Sequence, residues 1–73
     1  MKLTLLHKDP SSGTGGCPSV YLAEGGSLVI QGHVLDSDTE GNLLSVLPGE
    51  SAVHIDLNIV RGALAAYDAL GER

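Results

Sequence analysis

Seventy-three residues allow one domain, 1–73, and at that length folding removes only about 60% of the unfolded chain's surface from water. Apolar residues make up 42%, but there is no Phe or Trp and only Tyr21 and Tyr67 are aromatic, so the core falls to Leu, Val, Ile and Ala; a single cysteine excludes an internal disulfide. Nine acids against four bases, a net charge of −5, repel phosphate backbones and anionic bilayers, so neither direct nucleic-acid binding nor membrane binding is expected.

In chain order, "KLTLL" (2–6) suits a strand, and the apolar run ending by His7 is too short for a signal-peptide core or a membrane span. A cytoplasmic protein is expected, and a lone cysteine is consistent with a reducing compartment. "KDPSSGTGGCPS" (8–19) is rich in Gly, Ser and Pro and predicts a strand-connecting loop in which Cys17 is partly or wholly buried as a small hydrophobe. "SVYLAE" and "SLVIQGHVL" then flank Gly25-Gly26, which predicts a β-hairpin over 19–35. With those two glycines as the turn, Tyr21, Ala23, Leu28 and Ile30 share one face. Val20, Leu22, Val29, Gln31 and His33 share the other. Both faces are largely apolar, so both should be covered, one by a helix and one by another strand or subunit. Gly32 inside the second strand points to a bulge or a close backbone approach.

Further along, "DSDTEGNLL" holds one helical turn near Thr39 to Leu44, and "LPGE" predicts a turn. "SAVHIDL" alternates as a half-buried strand, with Val53, Ile55 and Leu57 on one side. Asp56 or Asn58 can cap a helix running to Leu70, with Val60, Ala63, Leu64 and Tyr67 as its apolar stripe and Gly71 at its end. The pattern predicts an α+β fold: a small antiparallel sheet, the central hairpin plus one or two further strands, packed against one C-terminal helix.

The residues that could carry chemistry fall short of each motif they approach. "GTGGCPS" lacks the lysine and following helix of a phosphate loop, and Pro18 stands where a dinucleotide fingerprint needs its third glycine. Cys17 has no neighbouring base to activate it. His7, His33, His54 and Cys17 are too widely spaced for a zinc site built from local ligand pairs. Asp36, Asp38, Glu40 and Gly41 follow the order of a calcium loop, yet Leu47 occupies the position of its bidentate glutamate. "GESAV" begins like a nucleophile elbow, but Val53 replaces the second glycine. No catalytic residue, cofactor or metal ligand is expected.

The layout as a whole carries one resemblance. "KDPSSGTGGC" ahead of a strand, the "GG" hairpin, the acidic loop after it, the "LPGE" turn, "AVHI" and a terminal helix together resemble the BldB-like family of small actinobacterial regulatory proteins, as a divergent relative. The resemblance implies a non-enzymatic module that binds and modulates a helix-turn-helix transcriptional regulator of the XRE type, and implies self-association. Core size independently predicts a homodimer, with Val20, Leu22, Val29, Gln31 and His33 as the dimer or partner interface. The alternative is a small enzyme or ligand-binding subunit using Cys17 or a histidine.

Overall fold

The computed structural model describes residues 1–9 and 18–71. Leu3–Lys8 (β1), Ser19–Ala23 (β2) and Leu28–Gln31 (β3) form an antiparallel sheet in the order β1-β2-β3. A second, two-stranded sheet pairs His33–Val34 (β4) with Val53–His54 (β5). Ser37–Glu40 (α1) is a single turn, and Leu57–Gly71 (α2) is the C-terminal helix. This is the α+β architecture that the sequence predicts. Within the span 10–17, which holds Cys17, the expected loop lies outside the described residues.

Local chemistry explains the boundaries. Asp56 opens α2 by accepting the Asn58 amide at its Oδ1, 2.9 Å away, while its carbonyl takes the Ile59 amide. The expected β5 is cut short by this cap. Its last three residues turn into the helix entry, so Ile55 packs on the core while Leu57 is exposed in the first turn. Asp36 likewise caps α1, its Oδ1 taking the Thr39 amide at 2.8 Å. The helical turn therefore starts at Ser37, ahead of the expected Thr39. In "LPGE", Gly49 takes a φ of +87° and the Glu50 amide donates to the Leu47 carbonyl, 2.9 Å, closing the predicted turn.

The hairpin spans Ser19–Gln31, shorter than the predicted 19–35 because His33–Val34 leave it to pair with β5, and its register differs from the expected one. Ala23 donates to the Ser27 carbonyl, 2.8 Å, so Glu24, Gly25 and Gly26 all belong to the loop. Tyr21 pairs with Val29, Val20 with Ile30 and Leu22 with Leu28. Val20, Leu22, Leu28 and Ile30 therefore share one face, and Tyr21, Val29 and Gln31 the other. A hydrogen bond from the Tyr21 hydroxyl to Gln31 Oε1, 2.8 Å, lies on that second face.

The core sits where α2 crosses β1 and β2. Val20, 1% exposed, meets Ile59 and Ala63, and Leu6 and Ile55 pack against them. Small residues make the approach close. A Cβ on Gly62 would lie 2.6 Å from Nε2 of His7, so the imidazole rests directly on the helix backbone. The register of β1 against β2 shifts between Leu5 and His7, and this extra residue lets both Leu6 and His7 meet the helix side. Of the expected stripe, Ala63 reaches the core; Val60, Leu64 and Tyr67 flank it.

Candidate functional site

The five residues expected to form one interface are not on one face. Val20 is the most buried apolar side chain described, beneath α2, and Leu22 is half-buried on the same side. Val29 and Gln31 lie on the opposite face, and His33 belongs to the second sheet. The cause is the loop: one residue more than a two-residue turn slips the register by one and turns every β3 side chain over.

In place of that face, the helix side carries a groove of about 230 Å³ along the seam between β3 and α2. Leu28 and Ile30 form its floor, 47% and 42% exposed, and Val60, Leu64 and Tyr67 form its helical wall. The same two β3 side chains border a second depression against Ala52, Val53 and Ile55. One apolar band thus runs from α2 across β3 to the start of β5. The groove lining includes no charged residue.

The histidines separate into two settings. His7 is held against Gly62, whereas His33 and His54 face each other across β4 and β5 with ring centroids 5.5 Å apart. Nothing in their sequence spacing of 21 residues signals that pairing, because it depends on which two short strands meet. Among the described residues, no three His, Cys, Asp or Glu side chains converge to hold a metal ion. Gly32 is a point of close approach, as the sequence suggests: a Cβ there would sit 2.7 Å from the His54 carbonyl oxygen.

Beyond β4 the surface is acidic. Between Lys8 and Arg61 the chain carries no lysine or arginine, while Asp9, Glu24, Asp36, Asp38, Glu40, Glu50 and Asp56 all fall there. Residues 36–50 form a lobe in which Asp36, Asp38, Glu40 and Glu50 are exposed beside Leu44, Val46 and Leu47. Leu44 is 91% exposed and Ser45 next to it has a φ of +52°, a left-handed conformation that turns the chain at the tip of this segment. Hydrogen bonds from the Thr39 amide and hydroxyl hold the Asp36 carboxyl below its ordinary value, with His54 adding a weaker pull in the same direction. The lobe is anionic and apolar at once.

Comparisons with protein families, with curated proteins and with solved structures find no match to this chain. Among the described residues, no helix is long and apolar enough to cross a membrane.

Proposed function

We propose that this chain is a non-enzymatic interaction module that binds and modulates a helix-turn-helix transcriptional regulator of the XRE type, through the lobe formed by residues 36–50. The observation that carries the reading is the lobe's composition: exposed Leu44, Val46 and Leu47 set among exposed carboxylates, in a span with no cationic residue. The DNA-facing surface of such a regulator is basic because it must neutralise phosphates. Opposite potentials speed encounter, and the leucines supply an apolar centre that excludes water. The layout shared with BldB-like proteins supports the same partner class. Occupying the regulator's basic face would place this module in competition with operator DNA.

Fluorescence anisotropy of labelled operator DNA bound to the regulator encoded nearest this chain's gene tests the proposal. Added protein should displace the DNA, less effectively as salt rises, and Asp38→Lys with Glu40→Lys should abolish displacement while leaving the circular dichroism spectrum unchanged. A regulator that ignores the protein at low salt, or is bound equally by the charge-reversed variant, rules the lobe out.

A further inference from the structure

The two edges of the main sheet are built differently. β1 carries the register shift between Leu5 and His7, is flanked by Lys2, ends in Lys8, and has α2 packed against it. Bulges, lysines and covering helices are the devices by which sheets keep other strands off their edges. β3, "LVIQ", has none of them. It holds no charge and no proline, and among the described residues it pairs with β2 alone. Alternation from the Ala23 to Ser27 hydrogen bond makes Tyr21 and Val29 a hydrogen-bonded pair, which leaves the N–H and C=O groups of Leu28 and Ile30 directed away from β2. Those two residues are also the floor of the apolar groove.

We propose that the free edge of β3 and the groove beside it seat a second copy of this chain, whose own β3 pairs antiparallel across a two-fold axis to make one continuous six-stranded sheet. The strand's own arrangement makes it self-complementary. Centred on Val29, the two-fold axis sets Leu28 opposite Ile30 of the partner subunit, so the outward N–H and C=O groups on each chain meet their counterparts. Leu28 and Ile30 from both copies then form one cluster beneath two α2 helices, enclosed by Leu64 and Tyr67. Because β1 is blocked at the far side of each sheet, the assembly closes at two copies and does not extend into a filament.

Exposed apolar surface supports a partner at this face. Leu28, Ile30, Leu64 and Tyr67 are each between 42% and 52% exposed on the groove, so a second copy seated there would take all four out of water together. This contact is separate from the 36–50 lobe, so the two proposals stand or fall independently.

Sedimentation of the full chain across the micromolar range should give twice the 7.5 kDa chain mass. Ile30→Pro removes an N–H that β2 does not use, and should sediment as a monomer with its circular dichroism retained. Leu5→Lys, on the opposite sheet face, should remain dimeric. Hydrogen exchange on the unmodified protein reads the same contact without a variant: Leu28 and Ile30 amides should exchange at least about tenfold more slowly in the dimer than after dilution. A monomer at every concentration, an Ile30→Pro chain that dimerises normally, or exchange at Leu28 and Ile30 that ignores concentration overturns the proposal. So does a Leu5→Lys monomer, which would move the contact to the Tyr21 face.

Discussion

β1 and β3 flank the same central strand, yet one is sealed and the other open. On the β1 side, an inserted residue turns Leu6 and His7 toward α2, and small helix residues let the backbone come down onto them. Toward β3, the large side chains Val60, Leu64 and Tyr67 flank a groove that no other part of the described chain fills. The lesson is that residue volume along a helix decides where its coverage stops. Gly62 and Ala63 let the backbone come close beside the buried Ile59, whereas Leu64 and Tyr67 stand at the margin.

The sharpest way to break this contrast is to make equivalent truncations on each side. Ile59→Ala empties the sealed half and should cost about 2–5 kcal/mol, enough to unfold a domain this small. Leu28→Ala in the open half should cost under about 1 kcal/mol, because half its surface is already in water. Urea melts on samples dilute enough to be monomeric give both numbers, and equal losses would mean that the two halves are packed alike. Gly32→Ala probes the far end of β3. Its Cβ would press 2.7 Å from a backbone oxygen and 3.2 Å from Val53 Cγ2, and with little room to yield it should cost about 1–3 kcal/mol. Hydrogen exchange on the same variant should show lost protection in β4 and β5.

A double-mutant cycle sharpens the sealed side. Alone, Gly62→Ala should be destabilising by up to about 1 kcal/mol, because the new methyl displaces the His7 ring; in a His7→Ala background the same change should add about 0.5–1 kcal/mol from helix propensity. Identical effects in both backgrounds would mean that the ring does not rest on Gly62. Acidification has the smallest effect, and it acts beyond both edges. The Asp36 carboxyl sits below its ordinary 3.8, so the stability it lends α1 is present above that value and is lost as pH falls through its lowered folded value. The Thr39 amide resonance should titrate accordingly and become pH-independent in Asp36→Asn, which keeps the cap without the charge. Core resonances on either side of β2 should not follow it.

Much of the fold was legible because it rests on local chemistry. The β2 span, the Gly49 turn, the Asp56 cap and the extent of α2 each follow from a few neighbouring residues, whereas the expected second hairpin strand divides at Gly32 into β3 and β4. The candidate interface was not legible, because it depended on register. Gly25 and Gly26 fit a two-residue turn, but the loop recruits Glu24 as well, and Val20 moves from the expected surface into the core. The extra residue in β1 was equally silent, since "LLHK" gives no local sign of which residue is the unpaired one. The face opposite α2 keeps the apolar character expected for it, with Leu3, Leu5, Tyr21 and Val29 in place of Val20 and Leu22.

The span without cations also sets how the folded chain meets proteolytic enzymes. A protease that cuts after lysine or arginine finds no site from Asp9 to Val60, while one that cuts after glutamate finds Glu24, Glu40 and Glu50. Arg61 lies in the second turn of α2, where the backbone must leave the helix before it can enter a protease cleft in extended form. Among internal fragments, a tryptic cut at Arg61 should therefore report the opening of α2 and leave the lobe whole. Glutamate-specific cuts at Glu40 and Glu50, as distinct from the hairpin-loop cut at Glu24, should report the lobe, so that the fragment pattern of two digests separates the module's partner-facing segment from its packed half.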